Sequence, residues 1–184
     1  MQRSCVQSQA GGFTLIEVLV AMFVLAVGVI GAAATQASSA RLRQQAALES
    51  EAVALASSLG ARMRVNPAQM ALPDAANPYL QLDYDAADGV PTDPPLQCFG
   101  AAACDSAQLA RFDIHELERG VHDAFPGGRI TVCRDATVPN GPLDWPCAGG
   151  GSAPLVVKIG WRRLATTGAA PREATPFIAM VVSG

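Results

Sequence analysis

Gly11-Gly12-Phe13-Thr14-Leu15-Ile16-Glu17-Val18-Leu19-Val20-Ala21 opens an apolar run that continues to Ala34, broken by a single carboxylate, Glu17. At about 1.5 Å of rise per residue, positions 13–34 make a helix of roughly 33 Å, enough to cross a hydrocarbon core of roughly 30 Å. The stretch therefore predicts a membrane-spanning segment. An acid inside such a segment costs roughly 2.5 to 3.5 kcal/mol at mid-depth and less near an end, so a chain that keeps one implies a partner for it. Glu17 is the leading candidate functional residue.

The run does not read as a secretory signal, whose small residues follow the apolar core; here the pair Gly11-Gly12 precedes it. Cleavage ahead of the core would leave the core attached. With Phe13 first after the glycine and Glu17 fifth, Gly12-Phe13-Thr14-Leu15-Ile16-Glu17-Val18-Leu19-Val20-Ala21 resembles the processing site of type IV pilins and type II secretion pseudopilins. The resemblance implies that prepilin peptidase cuts between Gly12 and Phe13, that Phe13 is then N-methylated, and that residues 1–12 are a leader. It further implies that the freed amine of Phe13, cationic near neutral pH, pairs with Glu17 of a neighbouring subunit in the filament core. Neither ion is stable there alone, so the pair sets register more than it adds stability.

The chain has 184 residues, room for one globular domain beyond the apolar arm. Mean hydropathy is +0.24, much of it from that arm. Net charge is −3, and removing a leader that carries only Arg3 makes it −3 − 1 = −4, so no nucleic-acid partner is expected. Of five cysteines, Cys5 lies in the leader, while Cys98, Cys104, Cys133 and Cys147 follow the span. In an exported domain, four cysteines read as two disulfides with three connectivities, of which Cys98–Cys104 with Cys133–Cys147 closes the most local loops. Their C-x5-C and C-x13-C spacings do not suit zinc, and no metal or cofactor is expected.

Past the span, Leu48, Ala52, Leu55, Leu59 and Met63 recur at helical spacing and make one apolar stripe. No proline interrupts 13–65, and Asn66-Pro67 stops the helix. One element of about 52 residues would reach roughly 78 Å, its first half in lipid or a fibre and its second against a head. Gly28 and Gly31 within the apolar half fit either close helix packing or local softening. Under the positive-inside rule, Arg41 and Arg43 favour a cytoplasmic head; the resemblance places the leader there and the head outside, and it is followed.

Residues 68–100, with Asn77-Pro78, Val90-Pro91 and Asp93-Pro94-Pro95, read as loop, from which Tyr79, Leu80, Leu82 and Tyr84 could pack on the head. A second helix is expected over 106–124, with a capping box at Asp113 and Glu116, a bend nearby, and Ile114, Leu117, Val121 and Ala124 as its buried stripe. Pro126-Gly127-Gly128 turns into a strand over 129–133. A second strand follows over 155–162, its odd positions apolar and Lys158 and Arg162 opposite, and a third over 176–183, after a loop over 165–173. Three strands pair most simply as an antiparallel meander on the helix stripe.

Other motifs read as structural. His115-Glu116 lacks a second histidine at 119, which is Arg, so His115 and His122 are taken as helix-surface or boundary residues. Gly149-Gly150-Gly151-Ser152 lacks the lysine of a phosphate loop, and no serine sits in a nucleophile elbow. No catalytic residue is assigned. Trp161 is expected in the core, and Trp145 either covers it or anchors a partner.

Ala26-Val27-Gly28-Val29-Ile30-Gly31, the stretch from Cys104-Asp105 to Phe112-Asp113, and Pro126-Gly127-Gly128 leading into Val132-Cys133 resemble minor pilins of the PilV type. The resemblance implies a pilin-like α+β fold: leader 1–12, helix 13–65 spanning the membrane over 13–34, and periplasmic head 66–184 with a small antiparallel sheet and disulfides. It implies a minor pilin that joins other minor pilins and the major pilin in a priming complex at the inner-membrane assembly platform. The subunit then sits at or near the pilus tip at the cell surface, commonly with an adhesin, and serves twitching motility and adhesion. The alternatives are a minor pseudopilin of type II secretion and a membrane-anchored periplasmic enzyme.

Overall fold

The computed structural model describes residues 12–94, 97–100, 102–138, 140–162 and 175–182. Leader positions 1–11, with Arg3 and Cys5, and the expected 165–173 loop lie outside the described residues. The elements are α1 (Leu15–Val65), α2 (Pro67–Met70), β1 (Asp83–Asp85), α3 (Ser106–Ala124), β2 (Arg129–Arg134), β3 (Leu155–Gly160) and β4 (Ile178–Val181). With a long apolar N-terminal helix, a small antiparallel sheet and two disulfides, the architecture is α+β and pilin-like.

Helix α1 runs 51 residues and stops where Asn66-Pro67 removes the next helical donor. The chain divides into two compact units between Gln45 and Ala46, and α1 contributes to each. In the first, an 18-residue window has mean hydropathy 2.6 with none of it buried, long and apolar enough to cross a membrane. Among the described residues, nothing lies within 4 Å of a Cβ placed on Gly28 or Gly31. In the second, Ala52, Ala56, Leu59, Gly60 and Met63 are buried as one stripe, with Leu48 and Leu55 packed alongside. The small residues permit close approach: a Cβ on Gly60 would stand 2.8 Å from Cγ1 of Val182, just past β4.

The sheet has the order β1-β2-β3-β4, antiparallel throughout, one strand more than the expected meander. The extra strand, β1, comes from the stretch read as loop. Its three residues include two aspartates, too short and too acidic to signal a strand, yet Asp83, Tyr84 and Asp85 pair with Thr131, Ile130 and Arg129. Register aligns Tyr84, Ile130, Ile159 and Ile178 in one row and Val132, Val157 and Met180 in another. These rows share one core with Ala52, Leu59, Leu117, Val121 and Trp161.

Helix α3 is continuous, which corrects the expected bend and cap. Its capping box is Asp105 with Gln108, the side chain of each accepting the other's backbone N–H at 2.7 and 2.9 Å. Asp113 is buried mid-helix instead, and His115, expected at the surface or boundary, is buried as well. Both disulfides follow the local pairing, Cys98–Cys104 and Cys133–Cys147.

The outer face of the sheet is covered too. Val156, Lys158 and Gly160, the even positions of β3, are all buried. Above them, Lys158 bonds the backbone of Asp144 and Pro146, and a Cβ on Gly160 would meet the Trp145 ring at 2.9 Å. The Arg129 guanidinium stacks 4.6 Å from the centre of the same ring, so Trp145 serves as cover. Leu59, wholly buried, and Val53, 47% exposed, separate core from surface on α1. Leu59→Ala should cost about 2–5 kcal/mol in urea unfolding of the chain in detergent micelles, and Val53→Ala within about 0.5 kcal/mol. Equal costs would contradict this packing.

Candidate functional site

Gly12 and Phe13 precede α1 and stand clear of it. Among the described residues, nothing lies within 4 Å of a Cβ placed on Gly12, and Phe13 is 83% exposed. Thr14 starts the helix: its carbonyl accepts from the N–H of Glu17 at 3.1 Å and of Val18 at 3.3 Å, and its hydroxyl lies 3.4 Å from the Glu17 nitrogen. Glu17 therefore sits in the first turn, where the helix dipole favours a carboxylate. Among the described residues, no ion pair involves Glu17. Gly12, Phe13 and Glu17 thus share one exposed helix start.

The head holds two polar assemblies that the sequence reading did not identify. In the first, Arg62 Nη1 donates to Asp113 Oδ1 and Glu116 Oε2, each at 2.8 Å, tying α1 to α3. Tyr79, fully buried, donates to Asp113 Oδ2 at 2.8 Å and accepts from Asn66 Nδ2 at 3.2 Å. Burial pushes the Tyr79 phenol up, and the hydrogen bond to Asp113 adds to that against Asn66, so it stays protonated and donates. Burial works against the Arg62 charge, but Glu116 and Asp113 outweigh it and raise its pKa. A sequence signal existed, since Asp113, Leu117 and Val121, spaced by four, set a carboxylate on the buried stripe.

The second assembly is the ion pair of Lys158 with Asp135, 2.5 Å apart with both side chains essentially out of solvent. Asp135 Oδ1 accepts from Thr137 N at 2.9 Å and Thr137 Oγ1 at 2.7 Å. Burial alone would raise the Asp135 carboxyl; the hydrogen bonds from Lys158 and Thr137, with the Lys158 charge, overcome it and hold the group well below the ordinary carboxylate range.

His115 Nε2 contacts Asp93 Oδ1 at 3.2 Å, and His122 Nδ1 meets the Tyr84 hydroxyl at 2.8 Å. The two histidines line separate cavities of about 220 and 340 Å³, and among the described residues neither lining includes a serine, threonine or cysteine. Among the described residues, no group of three or more His, Cys, Asp or Glu side chains could hold a metal ion. Three of the head's polar contacts tie its elements together: Arg62 to Asp113, Tyr79 to Asp113, and Lys158 to the Asp144 carbonyl.

The prokaryotic N-terminal methylation motif matches residues 7–33, the segment containing Gly12, Phe13 and Glu17. No curated protein and no solved structure matches the chain. The motif supports a pilin or pseudopilin subunit, a structural component processed by prepilin peptidase and assembled with other pilins. With the apolar helix, it fits anchoring in a membrane.

The depressed Asp135 carboxyl gives the head an acid dependence of definite sign. Stability from this pair is fully present above the unfolded carboxylate value near 3.9 and is lost as pH falls toward the lower folded value. Between about pH 4 and pH 2, wild type should lose up to about 1.4 kcal/mol per pH unit more than a variant combining Asp135→Leu with Lys158→Met. Urea midpoints at stepped pH measure it, and parallel acid profiles would contradict it.

Proposed function

We propose that the chain is a minor pilin of a type IV pilus, of the PilV type: a non-catalytic subunit of a priming and tip complex that starts pilus assembly. The observation that carries the reading is the methylation motif at an exposed Gly12-Phe13 start, with Glu17 in the first turn of an unburied apolar helix. Prepilin peptidase removes residues 1–12, Phe13 is methylated, and residues 13–34 hold the subunit in the inner membrane with the head, 66–184, in the periplasm. Assembly moves the helix from lipid into the filament core. There, Glu17 meets the Phe13 amine of a neighbour, a cation that keeps its charge from being stranded.

The motif serves pseudopilins of type II secretion equally. The resemblance of 26–31, 104–113 and 126–133 to PilV-type minor pilins favours the pilus. In that setting the subunit works beside other minor pilins, the major pilin, the assembly platform and a tip adhesin, and supports twitching motility and adhesion.

The proposal predicts that Glu17→Val leaves the protein in the membrane fraction at wild-type level while removing it from sheared pili. Immunoblots of the two fractions test this. Wild-type recovery of the variant in sheared pili would overturn the role of Glu17.

A further inference from the structure

The two ends of the loop between Cys133 and Cys147 converge on one atom. Lys158, on the outer face of β3, is 1% exposed. Its Nζ meets Asp135 Oδ2 at 2.5 Å and donates to the carbonyls of Asp144 at 2.8 Å and Pro146 at 2.9 Å. The buried ammonium is thus held by one ion pair and two backbone hydrogen bonds. Asp135 lies two residues after Cys133, and Pro146 directly precedes Cys147. One buried cation therefore grips the chain beside both cysteines through contacts that involve neither sulfur. Lys158 is itself fixed between Thr131 of β2 and Ala179 of β4, and the Ala136 N–H donates to the Ala148 carbonyl at 3.0 Å, joining the two limbs again.

We propose that Lys158 is a folding template for the Cys133–Cys147 disulfide, assembling both limbs of the loop before the sulfurs are joined. The need follows from chain entropy. A loop with sequence separation 14 is favoured over the mispaired Cys104–Cys133 loop, separation 133 − 104 = 29, by only about threefold. Cys98–Cys104, with separation 6, closes without such help. In the oxidation, the two thiols give two electrons and two protons to a disulfide oxidant such as oxidised glutathione. The protein S–S bond forms through a mixed disulfide, the oxidant's S–S bond breaks, and two glutathione thiols leave. The template contributes by raising the local concentration of one sulfur about the other.

The test equilibrates the full chain, in detergent micelles, with glutathione redox buffers, traps thiols by differential alkylation and reads each cysteine pair by peptide mass spectrometry. Two variants are compared with wild type: Lys158→Met, and Lys158→Met combined with Asp135→Leu, which leaves neither charge buried alone. In both, the glutathione equilibrium constant of Cys133–Cys147 is expected to fall at least roughly tenfold, while that of Cys98–Cys104 keeps its wild-type value. An unchanged constant for Cys133–Cys147 in either variant, or an equal fall at both pairs, overturns the proposal.

Discussion

One continuous helix has to satisfy two surroundings, and the rest of the chain follows from that constraint. Up to about Ala34, α1 shows apolar side chains in every direction, and the described residues of its own unit bury none of its apolar window. Such a surface is stable only in lipid or against other apolar helices. From Ala46 the same helix is amphipathic and donates a stripe of small and medium residues to a conventional core. Glu17 belongs to the first regime, where an unpaired charge is costly; Arg62 belongs to the second, where two carboxylates of α3 surround it.

The head is built in layers, with helices against the inner rows of the sheet and a disulfide-closed loop over the outer face. The outer layer explains how a lysine comes to be buried in the middle of a strand. Opposite-facing positions on a two-sided sheet normally meet water, but the segment after β2 folds back over them and brings Asp135 with it. Removing either partner alone would strand a charge in a dry site, which makes the loop and the strand depend on each other. The Tyr79, Asp113 and Arg62 assembly links α1 to α3 and to the turn that leads into β1 in the same way.

The elements with periodic apolar patterns were legible in the sequence. The end of α1 at Asn66-Pro67, the extent of α3, the inward odd positions of β3 and the local disulfide pairing all follow from spacing and from proline. The misses came where a residue's partner is distant along the chain. Strand β1 exists because Thr131, Ile130 and Arg129 offer it a ladder, not because of its own composition. Asp113 looked like a cap because Glu116 follows at the right interval, whereas its partners, Arg62 and Tyr79, lie 51 and 34 positions away. The candidate site could be named from the sequence for the opposite reason: Gly12, Phe13 and Glu17 lie within one short stretch, inside residues 7–33 that match the methylation motif.

The central claim is that this chain works as a processed building block, cut just ahead of its apolar helix. The most direct test is the intact mass and terminal peptide of the protein recovered from cells that have prepilin peptidase and from cells that lack it. The account predicts a chain beginning at an N-methylated Phe13 in the first case and an uncut chain still carrying residues 1–12 in the second. A chain that keeps residues 1–12 in both, or that is trimmed after Gly12 without the peptidase, would contradict it.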